Sequence, residues 1–397
     1  MRLFFSILLT LGLLQAQSID QMVKQSLKKH PSLKTIQHRL SAMDERIEKS
    51  GKWANPDLSL TINDIQFRKP LGRSEERMQY HAINFKQKFP WFGKLDAKKT
   101  YAREQKHVVL HSYEAARVQL ALRIRTTAYT IKELEARIRV LHRYRQLAKQ
   151  NIKLYTDMIS TDNMSHAKSI SAELSLSRIE IRQERYRSLL RSQKEKLAYL
   201  VQRPIKKIND KLHIKRPGSL KYYLNRLLRN PAYHMKLAQN RVADANKALV
   251  DMEVHPDPYV KIGYFNRPDF PDYASVTVGM SLPLYGTERL NSEIARKEAL
   301  SSVSASLDYK AFLKSEIRAN YAKLKEAYRI YNIIQRKSLP QLEHMLELSA
   351  SAIEEGADLS TYTNILEQKL SLEEESISMK AEYMRTKAKL KALIGGL

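Results

Sequence analysis

The sequence predicts a mainly α-helical protein with a small amount of membrane β-sheet, built as an internal duplication. Three observations support this prediction. Residues 94–203 contain neither glycine nor proline and are rich in strong helix formers. Short runs of alternating apolar and polar residues come before this span and again before a second helical half. Each group of runs ends in a proline that is followed three positions later by a glycine, Pro90 to Gly93 and Pro283 to Gly286.

The first residues have the pattern of a secretory signal peptide. One basic residue, Arg2, precedes an apolar run from Leu3 to Leu14, and small and polar residues follow. We expect the signal peptide to comprise residues 1–16. The rest of the sequence has no stretch apolar enough for a transmembrane helix. The chain contains no cysteine, which excludes disulfides, thiolate metal sites, a thiol nucleophile and a lipid anchor on cysteine.

Both halves of the sequence predict long antiparallel helical hairpins. A single helix over residues 94–203 would be about 165 Å long, and the polar cluster 156–165 is the only stretch there that favours a reversal. We predict helices over 94–156 and 164–201. The second half predicts helices before and after a turn at 354–360, with Pro340 bending the first of them without ending it. Its apolar stripe has coiled-coil spacing and comprises Tyr321, Leu324, Tyr328, Tyr331, Leu342, Met345 and Ala352.

Matching landmarks recur at a nearly constant distance, which indicates a duplication. His30-Pro31 and Asn230-Pro231 are 200 residues apart, and Pro56-Asp57 and Pro256-Asp257 have the same separation. The proline–glycine motifs are 193 residues apart, so the loop between the strands is shorter in the second copy. The predicted domains are a first repeat over 17–203, a linker over 204–218 and a second repeat over 219–397.

Each repeat carries two predicted strands with one apolar face. The apolar positions, which we predict to face lipid, are Leu58, Leu60, Ile62, Ile83, Phe85, Val260, Ile262, Val276, Val278 and Met280. Four strands cannot close a barrel, and lipid accepts only helices and closed barrels. If the strands cross a membrane, several copies of the chain must therefore pool them. A soluble, half-buried sheet is the alternative.

The order helix, strand, strand, Pro-x-x-Gly, long helical hairpin, repeated after a signal peptide, resembles the TolC family of outer-membrane efflux proteins. FPWFGKL (89–95) and SLPLYGTERLNSEIA (281–295) are similar to the two strand-exit motifs of that family. The resemblance implies a homotrimer in which a 12-stranded barrel in the outer membrane continues into a 12-helix periplasmic tunnel. It also implies partners, namely a periplasmic adaptor (membrane fusion) protein and an inner-membrane pump, and no cofactor.

The resemblance suggests three groups of functional residues. The strand-to-helix junctions would contain Pro90, Trp91, Gly93, Pro283, Tyr285 and Gly286. The adaptor would dock on the two hairpin turns, at Asp157, Asp162, Asn163, Gly356 and Asp358. The periplasmic gate would lie at NILE (364–367), where Glu367 matches one acidic position of the family motif and Asn364 departs from the other.

The formal net charge of +27 leaves two interpretations open. Lysine and arginine are scattered among acidic residues along the predicted helices, which favours solvated helix surfaces over nucleic-acid binding. A basic surface for anionic partners or lipid headgroups is the alternative. His107 and His111 are helix neighbours, and Met158 and Met164 flank the first turn, yet surface placement and packing are favoured over metal binding. The sequence has no HExxH, GxSxG or glycine-rich phosphate motif, so we expect neither an enzyme nor a metal site.

We therefore predict an outer-membrane exit duct of a tripartite efflux system, which passively exports small molecules or metal ions from periplasm to exterior. A periplasmic coiled-coil adaptor is one alternative, although it would normally have a single hairpin between domains rich in glycine and valine. An exported coiled-coil structural protein that binds an anionic polymer is the other.

Overall fold

The structure, a computed structural model, describes residues 18–70, 72, 74–158, 163–205, 207–354 and 359–397. The predicted signal peptide lies outside these residues. Among the described helices, none has the long stretch of apolar, nearly uncharged residues that a membrane-crossing helix needs.

The same order of elements occurs twice along the chain, as predicted. The first half contains α1 (Ile19–Lys29), α2 (Pro31–Ser50), β1 (Asp57–Asn63), β2 (Tyr80–Lys88), α3 (Lys94–Met158) and α4 (Asn163–Val201). The second half contains α5 (Leu220–Leu224), α6 (Pro231–Asp251), β3 (Pro258–Asn266), β4 (Tyr273–Met280), α7 (Thr287–Ile333), a π-helical segment (Ile334–Ser338), α8 (Leu339–Glu354) and α9 (Leu359–Leu393).

Local sequence explains where the helices begin. The Ser18 side chain accepts a hydrogen bond from the backbone N–H of Gln21, and the Gln21 side chain accepts one from the Ser18 backbone, which is a complete capping box at α1. Pro31 and Pro231 are the first residues of α2 and α6, where the missing N–H of proline costs nothing. The predicted helices 94–156 and 164–201 correspond to α3 and α4 within two residues at every end.

The helix around Pro340 is continuous, as predicted, and a π-helical turn accommodates the proline. Pro340 is the second residue of α8, directly after Ile334–Ser338. The Leu339 N–H donates to the Ile334 carbonyl, a wider turn than in an α-helix. Such a turn relieves the contact between the proline ring and the carbonyl of the preceding turn.

The apolar stripe of the second half differs in part from the predicted one. Leu324 and Leu342 are buried, as predicted, and the seam also contains Ala327 and Ile334. Met345 was predicted to belong to this stripe, but it is 46% exposed. The widened turn at 334–338 rotates the residues that follow it relative to an uninterrupted heptad, which accounts for the difference.

Two compact units share the chain, and each takes segments from both halves. One unit comprises the described parts of 1–34, 114–230 and 311–397, and the other comprises 35–113 and 231–310. The first unit contains α3 from residue 114 onward, together with α4 and α9. Its described residues include a cluster of buried side chains formed by Leu141, Tyr144, Ile179, Leu366 and Leu370. The second unit contains the β-sheet.

The sheet is antiparallel throughout and has the strand order β1-β2-β3-β4. The central pairing, of β2 with β3, joins the two repeats. Among the described residues, β1 and β4 each pair on one side only, so the sheet has two open edges.

The predicted linker 204–218 contains no regular helix in its described part and belongs to the first unit. Ile208 is buried, and its carbonyl accepts a hydrogen bond from Lys132 Nζ at 3.2 Å. Asp210 Oδ2 accepts a hydrogen bond from the Ile19 backbone N–H at 2.7 Å. These contacts hold the linker against α1 and α3.

Candidate functional site

One face of the sheet is a continuous exposed apolar surface. The register places Leu58 opposite Phe85, Phe85 opposite Ile262, and Ile262 opposite Val276, so one apolar row crosses all four strands. Directly opposed residues share a face of a sheet, and so do residues two positions apart. Nine of the ten residues in the predicted lipid-facing set are exposed, with exposed fractions from 44% (Phe85) to 78% (Leu60), and Val260 is half-buried.

The opposite face of the sheet is polar, and its side chains are in close contact. Asn84 Nδ2 donates to Thr61 Oγ1 at 3.2 Å, and Lys86 Nζ lies 4.5 Å from the ring centroid of Tyr259. Gly263 stands opposite Asn84, and a Cβ there would lie 2.7 Å from Asn84 Oδ1. A larger residue at position 263 would therefore have to displace the Asn84 side chain. This face combines hydrogen-bonding groups and charge, as the water-filled side of a membrane sheet does.

The first predicted junction is held by a residue of the other repeat. Asp257 Oδ1 accepts hydrogen bonds from the Trp91 backbone N–H at 3.0 Å and from Lys94 Nζ at 2.8 Å. Gly93 has a φ of 80°, a conformation that favours glycine, and the chain turns there into α3. Trp91 stacks on His255 with ring centroids 5.4 Å apart. The structure thus brings the Pro-x-x-Gly motif of the first repeat onto the Pro-Asp motif of the second.

The second junction repeats the turn with fewer contacts. Gly286 has a φ of 72°, and the Leu290 N–H donates to its carbonyl at 3.2 Å as α7 begins. Tyr285 is 93% exposed, and Phe92 at the first junction is 91% exposed. Exposed aromatic side chains next to an apolar sheet are typical of a membrane–water interface.

The candidate gate residues lie on α9, beside α4. Ile365 and Leu366 are buried, whereas Asn364 and Glu367 are exposed. A Glu367 carboxylate oxygen accepts a hydrogen bond from the Ser175 hydroxyl. Glu367 therefore projects from the packed face of α9 toward solvent while one of its oxygens is held by α4.

The predicted docking residues lie at or beyond the ends of described helices. Asp157 is in the last turn of α3, and Asn163 begins α4. Asp162, Gly356 and Asp358 lie outside the described residues. The described part of the chain contains no group of three or more His, Asp or Glu side chains arranged to hold a metal ion.

A network of ion pairs that no sequence pattern indicated links α9 to α3. Glu133 on α3 is 8% exposed and accepts hydrogen bonds from Arg137 at 2.7 Å and from Arg385 of α9 at 2.5 Å. Arg385 also donates to Glu382 at 3.0 and 3.1 Å. Charged groups removed from water to this extent need partners, and each charge in this group has one.

The network continues from α3 to α4 and back to α9. Arg137 donates to the hydroxyl of Tyr186 at 2.9 Å, and this hydroxyl donates to Glu374 at 3.0 Å. Arg182 donates to the same carboxylate at 2.7 Å. Helices α3, α4 and α9 are thus connected along their interface by arginine and glutamate side chains and by the Tyr186 hydroxyl.

Glu373 belongs to the same interface. It pairs with Arg143 of α3 and has only 18% of its side chain exposed. Burial raises the pKa of Glu373 and outweighs the opposing effects of Arg143 and Lys369. Burial likewise raises the pKa of the neighbouring Tyr144 hydroxyl. Removing the Glu373 charge would leave Arg143 without this partner.

Three solved structures have the same fold as this chain at low sequence identity. The MtrE outer membrane channel of Neisseria gonorrhoeae has a TM-score of 0.79 and 12% identity, over 95% of this chain and 89% of that one. CusC has a TM-score of 0.78 and 11% identity, over 96% and 93%. The outer membrane protein VceC of Vibrio cholerae has a TM-score of 0.77 and 16% identity, over 95% and 96%. This likeness shows the fold.

The sequence itself matches the outer membrane efflux protein family over residues 22–200. The first half of the chain thus matches the outer membrane efflux protein family, and the whole chain has the fold of TolC-like outer membrane channels. No curated protein sequence matches it. The family is one of channels rather than enzymes. The resemblance to outer-membrane efflux proteins that the sequence indicated is confirmed by this match and by the fold.

Proposed function

We propose that three copies of this chain form the outer-membrane exit duct of a tripartite efflux system. The observation that carries the proposal is the four-stranded sheet, which has a continuous exposed apolar face and two open edges. An apolar face is stable in lipid, but an open edge leaves backbone groups unpaired there. Three sheets joined edge to edge would pair every strand in a 12-stranded barrel.

The duct would act without catalysis. Its polar sheet face would line a water-filled passage, and small molecules or metal ions would pass through it from the periplasm to the exterior. An inner-membrane pump would supply energy and, together with a periplasmic adaptor, would select the substrate. The adaptor would dock at the hairpin turns that contain Asp157, Asp162, Asn163, Gly356 and Asp358.

The alternative of a periplasmic adaptor or coiled-coil structural protein is tested by isolating the full-length protein. An exit duct is expected in the outer-membrane fraction, to require detergent for solubility, and to have about three times the monomer mass in mild detergent. It should also conduct ions across a planar lipid bilayer. A stable, water-soluble monomer would contradict the proposal.

We propose that Glu367 lines the periplasmic gate of the duct. Three copies of its carboxylate around a threefold axis would form a ring of negative charge, which favours cations and is blocked by multivalent ones. Asn364, one turn away, would add polar contacts without charge. Replacing Glu367 with glutamine is expected to lower the cation selectivity of single channels and to weaken block by trivalent cations. Single-channel recording in a planar bilayer measures both quantities.

A matched control for the gate is available on the same helix. Glu375 is exposed on α9, and among the described residues no ion pair holds its carboxylate. Glu375→Gln makes the same chemical change outside NILE and is expected to leave trivalent-cation block unchanged. If Glu367→Gln behaves like Glu375→Gln, then Glu367 is a solvated surface charge and other residues form the constriction.

A further inference from the structure

The end of α2 and the start of α3 enclose a basic groove beside the sheet. The groove has a volume of about 580 Å³, and its lining residues are Arg46, Lys49, Ser50, Lys52, Trp53, Ala54, Asn55 and Lys98. Four of these side chains are cationic and none is a carboxylate. Lys52 pairs with Glu48, which lies outside the groove, at 3.0 Å. Among the described residues, no carboxylate lies within ion-pair distance of Lys49 or Lys98.

The duplication shows that the fold does not require this charge. With the offsets of the two repeats, Arg46, Lys49, Lys52 and Lys98 correspond to Asn246, Leu249, Met252 and Asn291, and all four counterparts are uncharged. The second repeat builds the same helix–strand–helix junction without the cations. Folding of the junction therefore does not account for the four cations in the first repeat.

Contacts within each repeat support this correspondence. A Cβ on Gly51 would lie 1.8 Å from Cε of Lys99, so the Lys99 stem lies directly over Gly51. The counterparts of these two residues, Asp251 and Ser292, are in hydrogen-bond contact. Equivalent positions are thus in contact in both repeats. In the first repeat, Gly51 leaves room for the Lys99 side chain beside the groove.

The surroundings of the groove favour a lipid over a free anion. Trp53 lines the groove, is 60% exposed, and has its ring centroid 5.3 Å from that of Phe89, at the end of β2. Leu58 of the apolar sheet face follows shortly afterwards and is 72% exposed. Tryptophan prefers the headgroup level of a membrane, and lysine and arginine next to an apolar surface bind anionic headgroups.

We propose that this groove binds the headgroup of an anionic phospholipid in the periplasmic leaflet of the outer membrane. The phosphate lies among the lysine side chains, with the Asn55 amide as a hydrogen-bond donor, and the Trp53 indole lies at the level of the upper acyl chains. The placement in the periplasmic leaflet rests on the proposed function, because the strands leave the membrane into the periplasmic helices at this end of the sheet. The site explains part of the excess positive charge of the chain.

Native mass spectrometry of the detergent-purified protein tests the proposal, with phosphatidylglycerol as the probe. The wild-type protein is expected to retain up to one phosphatidylglycerol per chain at this site. The variant K49Q/K52Q/K98Q is expected to bind it roughly 100-fold more weakly, since each cation near a membrane surface contributes about 1 kcal/mol. Trp53→Ala, which keeps the charge, is expected to weaken binding to a smaller extent.

A second triple variant provides the control for net charge. K297Q/K310Q/K314Q removes three exposed lysines of α7 and is expected to bind phosphatidylglycerol like the wild type. Equal loss in both triple variants, no loss in K49Q/K52Q/K98Q, or displacement of the lipid by an equal concentration of glycerol phosphate would overturn the proposal. The same spectra report the oligomer mass, so failure of assembly and failure of lipid binding are distinguished.

Discussion

Replacing Val276 with arginine is expected to destabilise the protein in a bilayer by about 2–4 kcal/mol, the cost of a cation on the lipid face near the bilayer midplane. Val276 lies near the middle of β4, is 68% exposed, and belongs to the apolar row that crosses all four strands. The lipid on this side offers the guanidinium neither water nor a partner. The urea concentration at which the oligomer disassembles in lipid vesicles measures the effect.

The adjacent residue Thr277 is the matched control. It lies on the polar face, opposite Lys261. Thr277→Arg places the same group next to a like charge, which costs below about 1 kcal/mol across a strand pair. The variant is therefore expected to disassemble close to the wild-type urea concentration. Equal damage at positions 276 and 277 would mean that the two faces of the sheet do not differ in environment.

Replacing Glu133 with glutamine is expected to cost roughly 3–5 kcal/mol, because it breaks a buried ion pair and leaves Arg137 without a carboxylate partner, while Arg385 keeps only Glu382. Arg137 and Arg385 both bind this carboxylate, and each has about 20% of its side chain exposed. The two guanidinium groups would then face each other across a neutral amide. A large fall in the midpoint of thermal unfolding, followed by the helical circular dichroism signal, is the expected result.

Glu184→Gln makes the same change in a solvated pair. Glu184 and Arg187 are neighbours on α4 with side chains 64% and 50% exposed. Exposed pairs contribute about 0–1 kcal/mol, so this variant is expected to unfold near the wild-type temperature. If Glu133→Gln were equally mild, the network that links α3 and α9 would not stabilise their packing.

The parts of the fold that local sequence determines could be predicted closely. Proline and glycine mark the junctions, the absence of both marks α3 and α4, and period-2 alternation marks the strands and their apolar face. Each of these patterns depends only on residues that are close together in the sequence. The residues that form them are therefore sufficient to locate the elements.

The contacts between helices could not be predicted in the same way. Glu133 and Arg385 are 252 residues apart in the chain, and Arg143 and Glu373 are 230 residues apart. Both pairs lie among many charged residues of solvated helix surfaces. Only the packing of α9 on α3 selects the charges that meet. Met345 was misplaced for a related reason, since a π-helical turn changes the phase of a helix without a sequence signal as clear as proline.

Disulfide crosslinking between the open edges of the sheet tests the central claim, that separate chains pool their strands. The chain has no cysteine, so introduced pairs react without competition. Thr61→Cys on the polar face of β1 would be combined in turn with Ser275→Cys, Thr277→Cys or Gly279→Cys on the same face of β4. Within one chain, two strands separate these positions by about 14 Å, whereas a disulfide requires Cα atoms about 4.4–6.8 Å apart.

Any disulfide between these positions must therefore join different chains. In a barrel made of three sheets, β1 of each chain lies beside β4 of the next, and the ring closes after the third chain. We predict that at least one of the three pairs gives a covalent trimer on a non-reducing denaturing gel after oxidation in the membrane, and that reduction returns it to monomer. Monomer alone for all three pairs would contradict the pooled barrel and, with it, the exit duct.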